Sequence, residues 1–205
     1  MPYRSSDKTR QKKDAKRTAM MQASVSVFAE KGYHAATIRD IVQEAGVAVG
    51  TFYFYFPDKE TLFVHLYEET SQFLLQTIQQ GIQSRVTLPQ QVSAGLQAYL
   101  NIAVFEPAIV HLLLVGGVGA VPSLASSRAK FRESLLRSWQ RPLDAALEQA
   151  QIVPQNTQRT AAALIGAFDE VVLNLLDNRD PELEASSVMQ DLVDFALRAS
   201  GYTGT

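Results

Sequence analysis

Apolar residues recur at steps of three and four along almost the whole chain, which is the spacing of amphipathic α-helices. Prolines punctuate this pattern, and proline cannot continue a helix. No strands alternate with the helices, so a nucleotide-binding α/β sheet is not expected. We therefore predict an all-α fold with helices over residues 14–30, 37–46, 47–54, 58–84, 90–105, 108–115, 123–150, 156–177 and 182–199. Pro142 lies inside the seventh helix and is expected to kink or split it.

Two short helices joined by a glycine follow the first long one. Thr37 is placed to cap the first of them, with the carboxyl of Asp40 three residues on, and Gly46 ends it. The segment 51–56, TFYFYF, alternates like a β-strand, but no second strand lies nearby to pair with it. A helix is therefore predicted there, which completes a three-helix unit with helix-turn-helix spacing. The aromatic residues expected in the core of this unit are Phe52, Tyr55 and Phe56.

The net charge of −2 is unevenly distributed along the chain. Residues 1–60 carry a charge of +3 and residues 61–205 a charge of −5. Most of the positive charge lies in a basic arm formed by residues 1–17, with the cations Arg4, Lys8, Arg10, Lys12, Lys13, Lys16 and Arg17. This asymmetry indicates a polyanionic partner at one end, although a solvated, disordered tail would have the same composition.

The sequence offers little material for catalysis or metal binding. It contains 0 Cys, and the three histidines His34, His65 and His111 lie far apart without the spacing of metal ligands. The glycine-rich segment 116–119 lacks the strand and helix of a phosphate-binding loop. The start of the chain is charged rather than apolar, and no apolar run has the roughly 20 residues that span a bilayer. We expect a cytoplasmic protein without cofactor or metal.

The last two helices are more apolar than a monomer requires. Residues 161–176 contain twelve apolar residues in sixteen, so this helix must be covered on more than one side. A two-fold four-helix bundle between two copies would supply the cover, whereas ordinary monomer core is the alternative. The residues predicted for this interface are Ile165, Leu176, Leu192 and Phe195.

Residues 20–63 carry the combination of motifs that identifies a family. An apolar helix ending at Phe28 to Tyr33, the Thr37 cap, an EAGV turn and the segment GTFYFYFPDKETLF follow one another. This arrangement resembles the signature of the TetR family of bacterial transcriptional regulators. The resemblance implies a DNA-binding domain over residues 1–57 and a ligand-binding and dimerisation domain over 58–205. It also implies a repressor of a palindromic operator.

The resemblance assigns roles to individual residues. It implies that Thr37 and Tyr53 contact phosphates, that Lys59 reaches the DNA backbone, and that Gly50 lets the recognition helix approach closely. Base-edge contacts are expected from Thr51 and Phe54, since both can pack on a thymine methyl group. Val49 lies on the same helix at a position that is commonly polar in the family, and Ala48 stands where a hydroxyl residue often caps it.

The effector is expected to be apolar or amphipathic, because the candidate wall residues of the middle helices are mostly apolar. His111 and Asn174 are the candidate polar anchors. Each wall residue could equally be plain core. The whole predicted pocket comprises Phe105, His111, Leu112, Phe131, Leu135, Trp139, Phe168, Val172 and Asn174.

Two other classes of function compete with a regulator. An all-α enzyme would need a catalytic constellation, and the sequence shows none. An architectural protein could use the basic arm on nucleic acid without sensing a ligand. A ligand-induced shift in thermal stability would separate this second class from a sensor.

Overall fold

The computed structural model describes residues 7–117, 119–178 and 180–204, with side chains from Ala15 onward. Within these ranges the chain is helical, which confirms the predicted all-α class. The helices are α1 (Asp7–Ala35), α2 (Ile38–Glu44), α3 (Val49–Tyr55), α4 (Lys59–Gln83), α5 (Leu88–Phe105), α6 (Pro107–Leu114), α7 (Leu124–Glu148), α8 (Thr157–Leu176) and α9 (Pro181–Ala199).

The chain divides into two compact units. Unit 1 comprises the residues up to Glu69 together with His111–Ser127, and unit 2 comprises Thr70–Val110 and Arg128–Thr205. Helices α4, α6 and α7 therefore contribute residues to both units. The domain boundary that the resemblance implies, between residues 57 and 58, stays a prediction.

Unit 1 is organised around the contacts of α2 with α1 and with α3. The segment TFYFYF is helical, as its context predicted. Phe52 and Phe56 are buried in the core of the unit, while Tyr55 is only partly buried. Burial of a phenylalanine side chain contributes about 1.5–3 kcal/mol, so these two rings fix α3 firmly against its neighbours.

Unit 2 is a helical bundle in which α5 packs against α8 and α9, and α8 packs against α9. Gly95 permits a close approach on α5, because a Cβ there would lie 2.8 Å from atoms of both Ile82 and Trp139. The chain after α9 returns to the α7–α8 connection, where the Val153 amide donates to the Gly201 carbonyl at 3.2 Å. This pairing fixes the end of α9 next to the start of α8.

Helix α7 runs without a break through Pro142, so of the two expected effects, a kink or a split, the split is wrong and the kink stays a prediction. Both Pro142 and Leu143 are buried, and this packing offsets the missing backbone hydrogen bond. In the described part of the chain, no single helix is long and apolar enough to span a membrane. Helices α5 and α6 together have the length and composition for a span, but the pair is bent by 106°.

Candidate functional site

The start of α2 is held by a reciprocal pair of hydrogen bonds. The Thr37 hydroxyl accepts from the Asp40 amide at 3.2 Å, and Asp40 Oδ2 accepts from the Thr37 amide at 2.9 Å. The Lys31 ammonium donates to Asp40 Oδ1 at 2.9 Å. The hydrogen bond from Lys31, followed by those from Thr37, lowers the pKa of Asp40 to about 2. The predicted cap is therefore confirmed, and it ties α2 to the end of α1.

A left-handed turn at Gly46, with φ of 64°, leads from α2 into α3. Ala48 occupies the N-cap position of α3 and provides no side-chain hydrogen bond. The first turn of α3 is therefore capped less well than that of α2. Packing of Phe52 and Phe56 supplies the support that the cap lacks.

The outward side of α3 exposes an unusual set of large apolar side chains. Val49 is 43% exposed, Tyr53 56% and Phe54 64%. These residues and Gly50 repeat at the spacing of one helix face, opposite Phe52. Nothing lies within 4 Å of a Cβ added at Gly50, so this face is open. Contiguous exposed apolar surface marks an interaction site, and it is suited to thymine methyl groups.

Lys59 stands at the first position of α4 with its ammonium turned toward the end of α1. It donates to the carbonyl oxygens of Tyr33 at 2.6 Å and Ala36 at 2.7 Å, and more weakly to that of His34 at 3.4 Å. The same nitrogen lies 4.4 Å from the centre of the Tyr33 ring. Burial lowers the pKa of Lys59. The predicted phosphate contact stays a prediction, and the donor most weakly held is the one directed at the His34 carbonyl.

Sequence reasoning did not single out Arg39, which lies on α2 two residues after the Thr37 cap. Its side chain is exposed, and no ion pair to it occurs among the described residues. For the basic arm, Arg4 and the side chains of Lys8, Arg10, Lys12 and Lys13 lie outside the described residues. Within the arm, Arg17 is described and pairs with Glu69 at 2.6 Å.

Only part of the predicted effector pocket comes together. Trp139 and Phe168 are in ring contact, with centroids 5.1 Å apart, inside unit 2. The buried members there are Phe131, Leu135, Trp139, Phe168 and Val172.

The other four predicted pocket residues lie elsewhere. Phe105 is 71% exposed at the end of α5. Asn174 is also exposed and donates to the Glu170 carbonyl of its own helix at 2.9 Å. His111 and Leu112 belong to unit 1, where they line a half-open cavity of about 660 Å³ together with Phe28, Tyr33 and Phe63. Within unit 2, the side chain of Asn174 is therefore turned to its own helix, and the role of His111 stays a prediction.

A polar cluster that the sequence did not reveal lies beside those aromatic residues, with Tyr99 buried and Arg132 exposed. The Tyr99 hydroxyl donates to Asp169 Oδ1 at 3.0 Å, and the Arg132 guanidinium donates to Asp169 Oδ2. Burial raises the pKa of Asp169, and burial also raises the pKa of Tyr99 well above its usual value. The three side chains come from α5, α7 and α8, so the cluster joins three helices of unit 2.

The four residues predicted for a dimer interface differ in their surroundings. Ile165 and Leu192 are buried within the chain itself, so they leave little area for a partner. Leu176 is partly buried and Phe195 is 41% exposed. The exposed residues of α8 include three small ones, Ala162, Ala163 and Gly166, and these lie between polar residues nearer the helix ends, Gln158, Arg159, Glu170 and Asn174.

Two models of known protein families together match most of the chain. The family model described as "Bacterial regulatory proteins, tetR family" matches residues 20–66. The model described as "Tetracyclin repressor-like, C-terminal domain" matches residues 89–197. The chain is 26% identical over 164 residues to the fatty acid metabolism regulator protein of Bacillus subtilis, covering 78% of this chain and 82% of that protein.

Two further similarities concern a second relative and a solved structure. The chain is 28% identical over 109 residues to the transcriptional repressor KstR2 of Rhodococcus jostii, and the match covers 49% of this chain and about half, 53%, of that protein. The crystal structure of FadR from Bacillus subtilis in complex with stearoyl-CoA has a TM-score of 0.75 at 20% identity. It covers 86% of this chain and 97% of that one. At this identity the structural match shows the fold.

Proposed function

The chain belongs to the TetR family of bacterial transcriptional regulators, and from this premise we propose that it is a homodimeric repressor released from a palindromic operator by an amphipathic effector. It is a DNA-binding regulator with an N-terminal helix-turn-helix and a C-terminal helical domain. The observation that carries the proposal is the exposed apolar face of α3, which a soluble protein keeps only for a partner.

In the proposed complex, α3 of each subunit lies in a major groove, because a two-fold dimer requires two-fold half-sites. Thr37, Tyr53 and Lys59 contact phosphates, which fixes the register of the protein on the duplex. Gly50 allows close approach, and Val49, Thr51 and Phe54 face the base edges. Arg39 adds a further phosphate contact, since it is exposed beside the Thr37 cap.

The proposed effector is a molecule with a long apolar part and a polar end. Two observations support this class. The interior of unit 2 contains a buried aromatic and aliphatic set next to the Tyr99–Asp169–Arg132 cluster. The similar FadR structure is described as a complex with stearoyl-CoA, and the Bacillus relative is named for fatty acid metabolism. An acyl-CoA or a related acyl compound is therefore the first probe to use.

The proposed dimer forms through the exposed surfaces of α8 and α9. The small side chains of Ala162, Ala163 and Gly166 allow two helices to approach closely. Phe195 and Leu183, which are 41% and 78% exposed, supply apolar area on α9. A regulator that binds genomic DNA acts in the cytoplasm of a bacterium, which is the location we propose.

The α3 face can be tested with a duplex recovered from a random library by selection on the wild-type protein. We expect Tyr53→Ala and Phe54→Ala to weaken binding to this duplex by at least tenfold in fluorescence anisotropy. Phe73→Ala is the matched control, since Phe73 is 48% exposed on α4 in unit 2 and should leave binding unchanged. Equal affinity of the α3 variants and the wild type would exclude this face from the DNA interface.

A further inference from the structure

One guanidinium nitrogen on α7 is buried without a hydrogen-bond partner. Nη1 of Arg128 is inaccessible to solvent, and no acceptor lies within hydrogen-bonding distance of it in the described part of the chain. A buried N–H group without an acceptor is unfavourable, and more so when the group is charged. Proteins seldom keep such an arrangement unless another molecule supplies the acceptor.

Arg128 lies one helical turn before Arg132, so the two side chains leave α7 on the same side. Arg132 already pairs with Asp169, and the other oxygen of that carboxylate accepts from Tyr99. One carboxylate thus serves one of the two arginines and a tyrosine. No ion pair to Arg128 occurs among the described residues.

The same side of α7 becomes apolar further along the helix. Leu135 and Trp139 are buried there, and the Trp139 ring contacts Phe168, the residue before Asp169. At 1.5 Å per residue, Arg128 and Trp139 are separated by about 16 Å along α7. Unit 2 therefore has a positive end and an apolar end within the length of a long-chain ligand.

We propose that Arg128 and Arg132 bind the anionic group of an amphipathic effector whose apolar chain lies against Leu135, Trp139 and Phe168. This inference rests on the proposed function and names the chemistry of its effector site. The anionic group is a carboxylate or a phosphate, because a guanidinium binds the paired oxygens of either through two parallel hydrogen bonds. A free fatty acid offers the first and an acyl-CoA the second.

An anionic ligand would give the buried Nη1 of Arg128 the acceptor that it lacks in the described part of the chain. Sites that bind ligands are often less stable than the same positions filled by apolar side chains, which is a trade of stability for function. Arg128→Met keeps the length of the side chain and removes the unpaired charge. We expect this variant to have a higher Tm than the wild type without ligand, and a lower affinity for the effector.

The experiment measures Tm and the binding of two probes, stearate and stearoyl-CoA, to the full-length wild type, Arg128→Met and Lys130→Met. Lys130 is exposed on the same helix, so Lys130→Met removes the same charge outside the cluster. Binding is followed by calorimetry and by the fluorescence of Trp139, the one tryptophan of the chain. We expect Arg128→Met to lower the affinity for at least one probe by tenfold or more, and Lys130→Met to change neither affinity nor Tm.

The outcomes distinguish two failures: that of the anchor, which is the proposed binding of the anionic group by Arg128, and that of the proposed function on which the anchor rests. Loss of stearate binding in Arg128→Met identifies a carboxylate ligand, whereas loss confined to stearoyl-CoA identifies a phosphate ligand. Equal affinity of Arg128→Met and the wild type for the probe that binds overturns the anchor and leaves the proposed effector class intact. A lowered Tm in Arg128→Met also overturns the anchor, because it would assign Arg128 a structural partner. A wild type that binds neither probe overturns both proposals.

Discussion

The ammonium of Lys59 links the first turn of α4 to the end of α1 through the carbonyls of Tyr33 and Ala36. Its third donor is held only weakly, at 3.4 Å from the His34 carbonyl, and a phosphate oxygen could replace that acceptor. One side chain would then position the DNA-binding helices and contact the DNA backbone.

We expect Lys59→Ala to weaken binding to every duplex and to lower the magnitude of the salt slope, d log K/d log[salt], by about one. The salt slope depends on the number of phosphate contacts. The overall affinity depends in addition on how well Lys59 positions the DNA-binding helices. Anisotropy titrations at several salt concentrations measure both. Lys31→Ala, which removes a lysine paired with Asp40, serves as the comparison. An unchanged slope in Lys59→Ala would assign this lysine to positioning alone.

At the scale of elements, the capping box of α2 predicts a pH dependence. The pKa of Asp40 is lowered from its ordinary value of 3.8 to about 2 by hydrogen bonds from Lys31 and Thr37. A carboxyl whose pKa is lower in the folded state stabilises the protein above its unfolded pKa and loses this contribution as pH falls through the folded pKa. The contribution of Asp40 is therefore complete above about pH 4 and is lost toward pH 2.

Asp40→Asn tests this assignment, because the amide cannot provide the charge. We expect the Tm difference between wild type and Asp40→Asn to be constant from pH 5 to 7 and to shrink as pH falls from 4 to 2. Thermal unfolding followed by circular dichroism measures this difference. A difference that stays constant down to pH 2 would mean that the Asp40 charge does not stabilise α2.

The sequence predicts the helices of this protein well, because apolar residues recur at helical spacing along them. The segment TFYFYF shows where a local pattern is insufficient. Its alternation favours a β-strand, and a helix is predicted there only because no second strand lies nearby to pair with it. Pro142 shows the same limit, because burial within unit 2 keeps α7 continuous.

The candidate sites are less predictable than the helices. Tyr53 and Phe54 could be identified because residues within one helix share a face by simple spacing. The Tyr99–Asp169–Arg132 cluster joins residues 70 and 37 positions apart, and no spacing rule relates positions on different helices. Phe105 was assigned to the pocket by its type, but it ends α5 and is largely exposed.

At the scale of the whole molecule, self-association through α8 and α9 can be tested at Gly166. This residue is exposed on α8, and nothing lies within 4 Å of a Cβ added to it. Gly166→Arg should therefore fold, and arginine is a better helix former than glycine. Its charge and bulk would prevent a second α8 from approaching.

We expect the wild type to be a dimer in light scattering at micromolar concentration and Gly166→Arg to be a monomer with the same helical circular dichroism. Ala129→Arg, an exposed substitution on α7, should remain a dimer. A monomeric wild type, or a Gly166→Arg variant that still dimerises, would be incompatible with the proposed interface.

An effector bound in the C-terminal part and DNA bound on α3 are proposed to weaken each other's binding. A ligand achieves this only if it binds the DNA-incompetent state more tightly, and typical coupling of 1–3 kcal/mol corresponds to about 5- to 150-fold in affinity. The coupling must be reciprocal, because both affinities belong to one thermodynamic cycle.

The most direct test measures the Kd of the selected duplex with and without saturating stearoyl-CoA, and the Kd of stearoyl-CoA with and without saturating duplex. We expect each ligand to weaken the binding of the other by the same factor, within about 5- to 150-fold. Stoichiometric binding of stearoyl-CoA with an unchanged affinity for the duplex would contradict this expectation.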